Sequence, residues 1–173
     1  MGDGVMREMR YSIVVEADKA RVWELLSDFG TIDRYNPFVP KSYIINDAPA
    51  RGLGAERHCD LDSEGKGYLR ERIIEFNEGE SYTLVFTAAS ASLPVHEMFI
   101  TFAVAVVAGG TRVSMTYHYR MKYGVVGRLM EAVVVKPMLT RVARGLLSGF
   151  KHYAETGEHV HSVKMVELVQ VTP

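Results

Sequence analysis

A chain of 173 residues with 47% hydrophobic and 24% charged side chains, 15 Gly and 6 Pro has room for one core, which excludes collagen-like, low-complexity and disordered classes. Its 20 basic and 21 acidic residues leave a net charge of −1, so no overall field draws it to nucleic acid or to a membrane. The single cysteine, Cys59, excludes a disulfide framework and a multi-thiolate metal site, and fits a reducing, cytoplasmic setting. The longest apolar stretch, 98–108, is interrupted by Thr101 and falls short of the about 18–20 residues that cross a bilayer, so no membrane span is expected. The opening MGDGVMREMR has no apolar h-region and carries Met6 where a myristoylation pattern requires Ser or Thr; residues 1–6 are expected to form a disordered lead.

From about Arg7 to Glu16 the chain alternates, with Met9, Tyr11, Ile13 and Val15 on one side, the pattern of a half-buried strand. Asp18 then offers an N-cap, and Val22, Leu25, Leu26 and Phe29 fall on one helical face. The run IDRYNP reads as one more helical turn, stopped at Pro37. Between Phe38 and about Thr116 the turn signals DAPARGLG, DSEGKG, NEGES, TAASASLP and AGGT separate about six strands. Their short connections favour an antiparallel meander over βαβ units. After Tyr123 a helical period runs for about 33 residues, with Leu139, Val142, Ala143, Leu146, Phe150 and Tyr153 in one stripe. Pro137 is expected to kink or break that helix, and Gly157 to stop it. Residues 158–173 have a mixed pattern, compatible with a tail, an extra edge strand or a partner contact.

The segments VEADKARVWELLSDFGTIDRYNP, GLGAER, LRERIIEF, GGTRVSMTY and LLSGFKHYAETGE, in that order, resemble the START-like (SRPBCC) superfamily, in its polyketide cyclase/dehydrase branch. The resemblance spans residues 7–157 and implies an α+β helix-grip, Bet v 1-like fold. In it a seven-stranded antiparallel sheet curls around a long C-terminal helix, with two short helices after the first strand. It also implies a cavity between sheet and helix for an apolar or amphipathic small molecule.

Alternation places Met98, Ile100, Phe102, Val104 and Val106 on the inner side of one strand, with His96 sharing their parity, and Val113, Met115, Tyr117 and Tyr119 on the next. Flexible Met98, Met115, Met130 and Met138 suit an adaptable ligand surface, or equally fill gaps in a core. Charges with inward parity are the informative ones, because burying an unpaired charge is costly. Lys41, Tyr43 and Ile45 share one side of the second strand, Arg57, Cys59 and Leu61 one side of the third, and Leu69, Glu71 and Ile73 one side of the fourth. Pattern alone equally allows Tyr68, Arg70, Arg72, Ile74 and Phe76 to face inward; the resemblance selects the first option. It further implies that Arg57 and Glu71 pair inside, either as a self-satisfied salt bridge or as an anchor for a ligand carboxylate, carbonyl or hydroxyl. Plant hormone receptors of the superfamily carry a lysine near the position of Lys41, but DLDSEGKG and TAASASLP do not reproduce their gate and latch loops, which argues against that role.

The expected function is binding or carriage of a lipid, isoprenoid or polyketide-like molecule, in a site formed by Lys41, Arg57, Glu71, His96, Met98, Met115, Tyr117, Met138, Val142 and Leu146. A cyclase, aromatase or dehydratase using His96, Tyr117, Arg57 and Glu71 as acid/base groups is the alternative. The second alternative is an interaction module whose cavity is incidental. No nucleophile elbow is present in the sequence. No metal site is expected, because the HxH pair His159 and His161 lacks a third ligand at suitable spacing. No nucleotide cofactor is expected either, since RGLGAER lacks the last glycine of GxGxxG and enters a strand. Cys59 is expected to be an inert core thiol. The sequence leaves an oligomer open.

Overall fold

In the computed structural model, residues 5–91, 94–122 and 124–165 are described. Strand β1 (Arg7–Val15) buries Tyr11, Ile13 and Val15 and exposes Glu8 and Arg10, as its alternation requires. Asp18 caps α1 (Lys19–Ser27) by accepting a 2.9 Å hydrogen bond from the Arg21 amide. The buried face of α1 is Val22, Trp23 and Leu26, while Leu25 is only half-buried. Trp23 lies outside the expected i, i+3, i+4, i+7 set, and the helix ends before Phe29, which opens the 3-10 turn Phe29–Arg34.

Six further strands follow: β2 (Lys41–Ile44), β3 (Glu56–Asp60), β4 (Tyr68–Asn77), β5 (Ser81–Ala89), β6 (Val95–Val107) and β7 (Gly110–Met121). They form one antiparallel sheet in the order β1-β7-β6-β5-β4-β3-β2. The meander runs from one edge to β7, and β1 completes the other edge; α1 and the 3-10 turn therefore span the sheet from β1 to β2. Register shifts at Arg70/Glu71 and Ile73/Glu75 in β4, and at Val95/Glu97 in β6, are the bulges that bend such a sheet. Of the expected TAASASLP turn, Ser92 and Leu93 lie outside the described residues.

The C-terminal helical segment is α2 (Gly124–Met130), a π turn (Glu131–Val135) and α3 (Lys136–Thr156); Tyr123, where the helical period begins, lies outside the described residues. Pro137 sits in the first turn of α3, and the break falls just before it as the π turn, in which the Lys136 amide bonds Glu131 O. In that turn Glu131 is buried, accepting a 2.8 Å bond from the Tyr119 hydroxyl and pairing with Arg7 Nε at 3.0 Å. Burial first, and then Glu131, push the Tyr119 phenol pKa upward. Gly157 ends α3 with φ 76° and an amide bonded to Tyr153 O.

Leu139, Ala143, Leu146, Leu147 and Phe150 of α3 are buried, whereas Val142 and Tyr153 are half-buried. Two glycines set the approach of α3 to the chain after the 3-10 turn: a Cβ on Gly145 would lie 2.4 Å from the Phe38 ring, and one on Gly149 would lie 2.0 Å from Tyr35 O. Beyond the helix, Val160 is buried and its amide bonds Arg34 O at 2.8 Å, and a 3-10 turn follows at Val163–Met165. Of the expected tail, 166–173 lie outside the described residues, as do residues 1–4 of the expected lead; Val5 and Met6 are exposed. Among the described residues no helix is long and apolar enough to cross a membrane.

Candidate functional site

Antiparallel pairing of β3 with β4 sets Arg57 opposite Glu71, and directly opposed residues share a face. Arg57 is 1% exposed. Its Nε donates to Glu71 Oε2 at 2.6 Å, its Nη1 donates to Phe29 O at 2.9 Å, and its guanidinium lies 4.0 Å from the Phe29 ring centroid. Burial works against the Arg57 charge, but Glu71, helped by Cys59, Tyr82 and Tyr35, reverses that effect and holds its pKa above the ordinary value. The Cys59 thiol lies 3.9 Å from Glu71 Oε2 and is pushed up to about 12, mainly by burial. Burial likewise raises the phenols of Tyr35, Tyr82 and Tyr117, so all three stay protonated at neutral pH. Among the described residues both hydrogen bonds to Glu71 fall on Oε2, and Oε1 is not one of the enclosed polar atoms that lack a partner.

Glu71 stands opposite Phe86 on β5, close to the end of the sheet where β4 and β6 begin and β5 and β7 finish. Burial decreases toward that end. Ile73, Leu84, Ile100 and Met115 are enclosed, whereas Leu69, Phe86, Val95, Met121 and Met138 are half-buried apolar residues packed on the core. An apolar rim thus stands in front of a buried ion pair.

Elsewhere α3 is fastened to the sheet. The Tyr11 hydroxyl and Thr140 Oγ1 are 2.7 Å apart, the Tyr117 hydroxyl donates to Leu139 O at 3.4 Å, and the two tyrosine rings meet edge to face. Two concavities, of about 670 and 520 Å³, lie outside that interface. One borders Glu16, Lys19, Val106 and Gly110, the other Lys19, Trp23, Arg51 and Glu78. At Leu139 and Thr140 the helix therefore meets β1 and β7 directly, and the half-buried rim lies at one end of the sheet. Leu146 belongs to the enclosed core, while Met138 and Val142 are the half-buried members of the expected helix lining.

The expected set divides accordingly. Arg57, Glu71, Met98, Met115 and Tyr117 all lie inside. Lys41 does not: β2 pairs Ser42 with Cys59 and Ile44 with Arg57, so those two share the inner face, and Lys41 and Tyr43 are exposed, the ammonium 5.4 Å from the Tyr43 ring. Ile45 lies past the end of β2, and Leu61 past the end of β3, where it is exposed. Val106 is exposed near the β6–β7 turn. His96 is the extra residue of the β6 bulge and is exposed, so the parity that grouped it with Met98 is interrupted. His159 and His161 are exposed, their rings 6.1 Å apart.

Sequence reasoning missed Phe29, Tyr35 and Tyr82 around Arg57, which come from elements distant in the chain. It also missed Glu131, although a lone acid in the apolar run LMEAVVV was a visible signal.

A curved antiparallel sheet of seven strands gripping one long terminal helix, with a polar pair on its inner face, defines the Bet v 1-like helix-grip class. The model of the family described as "Polyketide cyclase / dehydrase and lipid transport" matches residues 6–155, and the chain belongs to that family. Solved structures share the fold at low identity. XoxI from Bacillus cereus is 17% identical with a TM-score of 0.64, over 88% of this chain and 98% of its own. A protein of Nitrosospira multiformis is 15% identical with a TM-score of 0.67, over 87% of this chain and 98% of its own. Ara h 8.0201 is 12% identical with a TM-score of 0.67, over the same shares of the two chains. No curated protein matches the sequence.

Proposed function

We propose that the protein binds and carries a hydrophobic or amphipathic small molecule bearing one hydrogen-bonding group, of lipid, isoprenoid or polyketide type. The apolar body lies against the rim of Leu69, Phe86, Met121 and Met138, and the polar group reaches Glu71 Oε1 beside Arg57. The observation that carries this reading is a buried Arg57–Glu71 pair, with Glu71 the less enclosed partner, behind half-buried apolar side chains. Membership of a family described by lipid transport as well as cyclase and dehydrase activity agrees with it. Carriage is favoured over acid/base catalysis because His96 is exposed on its bulge and the Tyr117 hydroxyl is engaged by Leu139 O. One free, buried cysteine suits a reducing, cytoplasmic setting.

Titration with an apolar fluorescent probe, followed by displacement with fatty acids, isoprenoid alcohols and polyaromatic phenols, tests the proposal. At matched folding, Glu71→Gln is expected to weaken displacement by hydroxyl-bearing ligands about tenfold, the value of one charge-assisted hydrogen bond. Identical displacement curves for wild type and variant would remove Glu71 from the site.

A further inference from the structure

The segment α2 plus π turn is apolar on its outer side as well as its inner one. Val135 is fully buried and Leu139 joins the core, yet Val126, Leu129, Val133 and Val134 are 63%, 67%, 66% and 52% exposed. Val126, Leu129 and Val133 fall at i, i+3 and i+7, forming one row along the helix. A surface helix ordinarily turns polar residues to water, so an apolar outer row marks a face that meets something else.

The charges around the row identify what it meets. From 122 to 144 the basic residues are Lys122, Arg128, Lys136, Arg141 and Arg144, and Glu131 is the only acid. That acid is buried and held by Tyr119, Arg7 and Lys136, whose Nζ lies 3.8 Å from it, so it contributes no outward negative charge. Lys136, Arg141 and Arg144 are exposed. The net charge of −1 is therefore unevenly distributed, and this flank is locally basic. A second copy docking through the same face would bring like charges together, which disfavours self-association.

We propose that α2 and the π turn dock on an anionic lipid surface, the Val126–Leu129–Val133 row entering the headgroup boundary and Arg141 and Arg144 meeting lipid phosphates. A close approach of Gly127 to Lys122 O, at 2.0 Å for a built Cβ, fixes α2 against the end of β7. That end carries Met121, so docking brings the apolar rim to the membrane.

Co-sedimentation of the full chain with vesicles of phosphatidylcholine, alone or mixed equally with phosphatidylglycerol, tests this. Binding is expected only to the mixed vesicles and is expected to weaken as salt rises. Arg141→Gln/Arg144→Gln should lower the partition coefficient about thirtyfold at low salt, and Leu129→Ser/Val133→Ser should abolish sedimentation while leaving the circular dichroism spectrum and uptake of the apolar probe unchanged. Because probe uptake is read separately, failure of docking and failure of ligand binding are distinguishable. Absence of binding to the mixed vesicles, equal binding to neutral ones, or a dimer in solution that Leu129→Ser/Val133→Ser disperses would each overturn the proposal.

Discussion

Arg57 and Glu71 show how much a single buried pair constrains a site. Each charge is held away from water by aromatic and aliphatic neighbours, and each is tolerable only because the other is present. Arg57→Ala is therefore expected to cost about 3–5 kcal/mol in urea denaturation, the range for stranding one partner of a buried pair. The double variant Arg57→Met/Glu71→Leu should recover most of that loss while still failing to bind hydroxyl-bearing ligands. Recovery of both stability and binding would mean that the pair is structural only. Cys59 supplies a pH test. Its folded thiol lies near 12, above the roughly 8.5 of a free thiol, so its stabilising contribution is complete below about pH 8 and is lost as pH climbs between those values. At pH 8 the native protein should not react with an aromatic disulfide reagent, and one thiol should appear on unfolding. Rapid reaction in the native state would contradict the burial. The inward pairing was legible only with the resemblance, because alternation fixes the period of a strand and not its phase. That is why Lys41 was misassigned: its face is decided by the pairing of Ser42 with Cys59, a contact between strands that the residues of β2 do not encode.

At the scale of elements, the C-terminal helix carries the most consequence. Pro137 announced a break, and α3 begins there, but the π turn takes its place from Glu131, Tyr119 and Arg7, which meet only in the folded sheet. The position of α3 depends on the absence of side chains at Gly145 and Gly149. Gly149→Ala pushes a methyl into backbone at Tyr35 O, whereas Gly145→Ala meets the Phe38 ring, which can rotate. Gly149→Ala should therefore be the more damaging, by about 1–3 kcal/mol, seen as a Tm lower by several degrees. Equal effects would show that α3 shifts freely. Neither glycine is recognisable as a contact from its own neighbourhood, since the apolar stripe of the helix includes neither and their partners Phe38 and Tyr35 lie far off in the chain. The strands were easier: five turn signals separate them, four of them containing Gly, Asp or Asn, and every connection from β2 to β7 is too short for a crossover.

For the whole molecule, topology was readable and free volume was not. The order of periods, two then helical then two then helical, leaves few ways to close one sheet around one helix. How closely the helix approaches the sheet depends on side-chain volumes summed over distant elements. Here Tyr11, Tyr117 and Thr140 close one flank, and Phe29, Tyr35 and Tyr82 fill the space around Arg57. The rim of Leu69, Phe86, Met121 and Met138 is half-buried, and the proposed function rests on a small molecule entering there. Native mass spectrometry of the gently purified protein tests that entry most directly. A small-molecule adduct is expected, or uptake of one from a lipid and polyketide panel, released on unfolding and lost when Phe86→Glu places a carboxylate on the rim. Bare protein throughout, or an adduct indifferent to Phe86→Glu, would contradict it.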